Sequence, residues 1–74
     1  SIADFMIIAS ANSTRQARAL SENIQEKMKD SNVEIIGVEG ESEGDWVLVD
    51  LGDIVVHIMT PTTRAYYNLE ELWT

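Results

Sequence analysis

At 74 residues and 45% hydrophobic content, the chain is long enough for one domain with a modest core. Ordering it costs roughly 1.5 kcal/mol per residue, on the order of 110 kcal/mol in all, so every strand must contribute to that core. Thirteen acidic against five basic residues give a net charge of −8, the wrong sign for direct nucleic-acid binding and a suitable one for a basic partner.

The absence of cysteine removes disulfides, thiolate zinc sites and cysteine nucleophiles, and favours a reducing, cytosol-like compartment. No run of 18 apolar residues exists, so no segment reads as a membrane-spanning helix. The first residue is Ser1, and Phe5 to Ala9 already follows a strand pattern, so the natural start is expected further upstream.

Asp4 to Ser10 is a near-continuous apolar run, the pattern of a strand covered on both faces. Ser10 to Ser13 is a turn. Ser13-Thr14-Arg15-Gln16 fits a capping box, in which Ser at N-cap and Gln at N3 satisfy exposed backbone donors. A helix follows, with Ala17, Leu20, Ile24 and Met28 on one face, until Asp30-Ser31-Asn32 breaks it.

Val33 to Val38 reads as a second strand interrupted by Gly37, and Glu39 to Asp45 as an exposed acidic loop. Trp46 to Asp50 is a third strand and Ile54 to Met59 a fourth. The short reversal Leu51-Gly52-Asp53 joins them into a hairpin. Pro61 sits where a helix can start, and a short amphipathic helix is expected from about Thr63 to Leu72 through Tyr66, Leu69 and Trp73. The order is β-α-β-β-β-α, an α/β (α+β-like) fold with a small mixed sheet. The first strand, helix and second strand are expected to form a right-handed crossover, with the hairpin strands central and the long helix on one face.

Candidate chemistry is sparse. Asp50 and Asp53 flank a turn and could act as a metal or acid/base pair. The Ser10 to Ser13 loop, however, has no adjacent glycine or lysine to hold phosphates. Asp-Leu-Gly-Asp is also ordinary turn chemistry, with Asp accepting from backbone donors. His57 has no second His or Cys at ligand spacing and reads as a hydrogen-bonded strand histidine. The four glycines form neither GxGxxG nor a phosphate loop. Glu39, Glu41, Glu43 and Asp45 lack the EF-hand pattern, so no cofactor and no metal site is expected.

What stands out is the clustering of Trp46, Tyr66, Tyr67 and Trp73 in the hairpin and tail. Trp and Tyr anchor interfaces because they bury much area and keep a polar handle. Tyr66 and Trp73 are expected in the core. The chain therefore reads as a non-enzymatic binding module. The alternatives are a residual nucleotidyltransferase-like or metal-dependent enzyme using Asp50 and Asp53, and a generic acidic dimerisation module.

The stretches Glu39-Gly40, Trp46 to Met59 and Arg64 to Trp73, with Ile2 to Ile8 and Ser13 to Gln16, together resemble the ribosomal silencing factor (Iojap) family from Ser1 to Trp73. The resemblance implies a nucleotidyltransferase-like domain without catalytic residues. It also implies a translational repressor that binds the large ribosomal subunit through its ribosomal protein fourteen and blocks joining of the small subunit. Location would be cytoplasmic, or the organellar matrix for mitochondrial and chloroplast relatives. Neither base-specific nucleic-acid recognition nor a membrane is implied, and a homodimer is the alternative assembly when free. Carried over by motif, the partner-facing residues are Trp46, Asp50, Leu51 and Tyr67, with Gly52, Asp53 and Arg64 nearby. Family members normally begin with a further helix and strand before the segment matching Ser1. The chain from 1 to 74 is thus expected to be one such domain lacking its N-terminal elements.

Overall fold

A computed structural model of the chain describes residues 3–68 and 71. Four strands, β1 (Phe5–Ser10), β2 (Gly37–Glu39), β3 (Trp46–Asp50) and β4 (Ile54–Met59), form one sheet in the order β1-β4-β3-β2. Helix α1 (Thr14–Asp30) packs over β3 and β4, and the short α2 (Pro61–Tyr67) packs against β4. The mixed sheet, the central hairpin and the helix on one face are as the sequence leads one to expect.

The two ends of α1 explain its bounds. Ser13 stays extended (φ −153°, ψ 163°) and its hydroxyl accepts from Gln16 N at 3.0 Å, satisfying one orphan donor of the first turn. The Gln16 side chain reaches back one residue further than a strict capping box, accepting from Asn12 N. At the other end Asn32 adopts a left-handed conformation (φ 60°), Val33 N donates to Met28 O and Asn32 N to Lys29 O. That pair of bonds is a Schellman motif, and Lys27 and Lys29 in the last turn complement the helix dipole.

Period-2 alternation then divides the hairpin into two faces. Val47 pairs with Ile58 and Val49 with Val56, and all four are buried beneath α1 together with Ala11 and Ala17. Trp46, Leu48, Asp50, Val55 and His57 lie on the opposite face.

Three expectations need correction. The crossover from β1 through α1 does not return to β2. β1 pairs in parallel with β4 over six residue pairs, from Phe5↔Ile54 to Ser10↔Met59, whereas β2 is a three-residue strand antiparallel to β3. β4 offers a longer apolar partner, and β2 is cut short because Val33 to Ile36 lies outside the ladder, with only Ile36 N donating to Asp50 O. β1 is also not covered on both faces: Phe5 is 65% and Ile7 49% exposed. Finally, α2 ends at Tyr67 because Asn68 turns left-handed (φ 49°) and its N–H donates to Arg64 O. Leu69, Leu72 and Trp73, placed in that helix or the core from the sequence, lie outside the described residues.

Because α1 sits over β3 and β4, the apolar floor beside β1 stays open. It forms a groove of about 380 Å³ lined by residues such as Ile7, Ala9, Leu20, Ile24, Met28 and Ile54.

The acidic loop after β2 is anchored rather than freely solvated. The Glu41 carboxylate accepts from the fully buried Ser21 hydroxyl (3.0 Å) and from Gln25 Nε2 (3.1 Å), and Arg18 donates to the Ser42 and Glu43 carbonyls. Gly40 makes the tight entry possible at φ +86°, where an added Cβ would run into the Trp46 carbonyl oxygen. Gly40→Ala is therefore expected to lower the urea midpoint by an amount worth about 1–3 kcal/mol or more. Gly37→Ala, with nothing within 4 Å of the new methyl, should leave it within about 0.5 kcal/mol.

Candidate functional site

The face turned away from α1 is built row by row across the sheet. Glu39, Leu48, His57 and Ile8 form one row; Asp50, Val55 and Met6 form the next; Trp46, Met59 and Ser10 form the third. α2 covers the third row, where Met59 is fully buried, and His57, in the first row, is 7% exposed beside the Trp46 ring at a centroid distance of 5.9 Å. Met6, Ile8, Leu48, Asp50 and Val55 are half-buried.

Trp46 is the hub of this face. Its indole Nε1 donates to His57 Nδ1 at 2.9 Å, and its ring meets Tyr67 at a centroid distance of 4.8 Å and a tilt of 49°. Tyr66 extends the row edge-on to Tyr67 at 5.0 Å and 86°, within the range favoured by ring quadrupoles. Tyr66 itself is 81% exposed, which corrects its expected core position: α2 is a short helix of seven residues that ends at Tyr67, and Tyr66 lies on its outward side. A depression of about 230 Å³, lined by Glu39, Gly40, Trp46 and Leu48, opens beside the indole.

The residues singled out from the sequence do not all gather there. Trp46 and Tyr67 touch, and Arg64 fastens α2 to β1 by donating from Nη1 to Ser10 Oγ at 2.8 Å. Asp50 shares the face but lies four residues along β3 from Trp46, roughly 13 Å away. Leu51 packs against the core cluster and lines the groove on the α1 side, apart from the Trp46 face. Gly52 and Asp53 form the hairpin loop. Only Gly52 takes positive φ (+92°), the pattern of a type II′ turn, and Leu51 N donates to Ile54 O across it.

Asp50 Oδ1 accepts from Gly52 N at 2.9 Å, so this carboxylate serves the turn, as Asp does in tight reversals. Among the described residues no three metal-ligating side chains converge. Glu39, Leu48 and His57 were not assigned to the site from the sequence. The signal for the last two was their parity with Trp46 along a two-residue period; Glu39 was hidden by being read as loop.

His57 accepts the indole hydrogen bond through Nδ1, so its neutral form carries its proton on Nε2. Burial pushes its pKa below the ordinary value of 6.5. As pH falls, the unfolded chain therefore takes up this proton first. The stability contribution is complete above about pH 6.5 and is lost as pH falls from there through the lowered folded-state value. Urea midpoints measured from pH 8 to pH 5 should fall across this window in the parent chain and fall less in His57→Asn, which cannot take the proton.

Comparison with known proteins agrees with this architecture. The family described as "Ribosomal silencing factor during starvation" matches residues 1–74. "Ribosomal silencing factor RsfS" of Chromobacterium violaceum is 52% identical over 68 residues, 92% of this chain and 56% of its own. A crystal structure of a Chromobacterium violaceum protein superposes with a TM-score of 0.90 at 51% identity, covering 92% of this chain and 57% of that one. Relatives named for the mitochondrion in Mus musculus and the chloroplast in Zea mays are each 36% identical. The chain spans about half the length of the first of these relatives. It belongs to the ribosomal silencing factor family.

Proposed function

We propose that the chain represses translation by binding the large ribosomal subunit through its ribosomal protein fourteen, so that the small subunit cannot join. The observation that carries this reading is the half-exposed Trp46–Tyr67 pair on a sheet face that α1 leaves free. A Trp and a Tyr beside a small depression are the usual anchors of an interface, and Glu39 and Asp50 put acidic groups on the same face. With a net charge of −8, the module is drawn to a basic ribosomal protein and repelled by the phosphates around it. Family membership supports the ribosome as the target.

Repression of this kind needs no bond chemistry. It needs a body that stays bound and overlaps the path of the incoming subunit. The engagement of Asp50 with the Gly52 amide favours this reading over phosphoryl or metal chemistry at that residue. The site of action is then the cytoplasm, or the matrix of an organelle for a mitochondrial or chloroplast form.

Tyr67 is 48% exposed, so Tyr67→Ala removes an anchor without opening the core. It is expected to weaken co-sedimentation with purified large subunits by on the order of tenfold, with an unchanged circular dichroism spectrum. Asp50→Asn keeps the turn acceptor and deletes the charge; it should bind more weakly at low salt and approach the parent at high salt. Full-strength binding by both variants would remove this face from the ribosomal contact.

A further inference from the structure

His57 has no part in the reading above, yet it is the residue that holds Trp46 in place. We propose that His57 is a positioning residue of the ribosome-binding face: it presets the Trp46 side chain for docking and releases it when the imidazole takes a second proton. The inference rests on the proposed ribosomal docking of that face.

Two contacts meet at the Trp46 ring: the His57 Nδ1 lone pair receives its N–H at 2.9 Å, and the Tyr67 ring leans on it at 4.8 Å. Among the contacts of the described residues the hydrogen bond is the one that fixes the direction of the indole, because a ring contact tolerates rotation about the side-chain torsions. A side chain held before contact loses less freedom on binding, so a preset Trp46 binds more tightly than a mobile one.

The same bond exists for only one protonation state. Neutral imidazole with its proton on Nε2 offers Nδ1 as acceptor, whereas imidazolium carries donors on both nitrogens and would set one against the indole N–H. The surroundings do little to stabilise that cation. His57 is paired with Leu48 on β3 and Ile8 on β1, and is flanked along β4 by Val55 and Met59. The nearest ionisable groups by position are Glu39 across Leu48 on β2, Asp50 on β3, and Arg64, Tyr66 and Tyr67 on α2; Arg64 is engaged with Ser10. Burial accordingly favours the neutral, accepting form.

Two substitutions of the full chain separate positioning from packing. His57→Asn places an amide oxygen near the Nδ1 position and does not titrate in the imidazole range; His57→Phe keeps a flat aromatic ring, somewhat larger than imidazole, and has no acceptor. The Trp46 indole N–H resonance, assigned by its loss in Trp46→Phe, reports the bond without any ribosome. Co-sedimentation with large subunits reports docking, and thermal unfolding reports the fold.

The expected pattern is loss of the hydrogen-bonded indole resonance and about tenfold weaker sedimentation for His57→Phe, with both restored to within about threefold by His57→Asn. In the parent chain the same resonance should move as the imidazole titrates, which tests the bond even if His57→Phe does not fold. An indole resonance indifferent to both variants and to imidazole titration would overturn the proposal. So would a His57→Phe chain that binds like the parent while Tyr67→Ala does not, a result that leaves the ribosomal face standing. If Tyr67→Ala and His57→Phe both bind like the parent, the docking face itself is wrong and the proposal falls with it.

Discussion

The pleat of the β3–β4 hairpin is the constraint on which the rest of this small structure depends. With a two-residue side-chain period, Val47, Val49, Val56 and Ile58 must point one way and Trp46, Leu48, Val55 and His57 the other. A chain of this length has one long helix to spend, and α1 covers the valine and isoleucine side. Among the described residues the short α2 covers the second face near Met59, and the Trp46 ring lies against His57. Everything functional follows from that unequal coverage. A slip of one residue in the hairpin would turn Trp46 toward α1 and the core valines away from it, and the type II′ turn at Gly52, secured by the Asp50 carboxylate, guards against it.

The half-covered face is where apolar area, aromatic anchors and carboxylates coincide. Trp46 and Tyr67 supply area, Glu39 and Asp50 supply charge, and His57 gives the indole a direction. In the proposed function these are the components of the docking surface. The acidic loop contributes differently: Glu41, Arg18 and the buried Ser21 fasten it to α1, and Gly40 then sets the start of β3 behind Trp46. A surface residue is thus held through a chain of contacts that begins on the far layer.

Much of this was legible in the sequence, where a single local rule applied. The α1 start was readable from Ser13 and Gln16, the hairpin from Gly52 between two apolar runs, and the aromatic cluster from the positions of Trp46, Tyr66 and Tyr67 along the chain. The pairing of β1 was not, because β1 and β4 are separated by the whole of α1, β2 and β3, and no local pattern encodes a partner that distant. The apolar run Phe5 to Ala9 suggested burial on both faces, but an edge strand needs apolar residues only where a neighbour reaches them. Leu51, assigned to the partner-facing set by motif, is an odd-numbered residue following β3; it shares the parity of Val47 and Val49 and lies with them on the α1 side. Tyr66 was expected inside, and the left-handed Asn68, which ends α2 one residue beyond Tyr67, leaves it in solvent.

The central claim is that the Trp46 face, and not the α1 face, meets the large ribosomal subunit. Hydroxyl-radical footprinting of the chain free and bound to purified large subunits tests this directly, since side-chain oxidation reports solvent access at each residue. The account predicts protection of Trp46, Leu48, Tyr66 and Tyr67 on binding, with Met28 on α1 oxidised equally in both states. Protection of Met28, with Trp46 and Tyr67 unchanged, would contradict it.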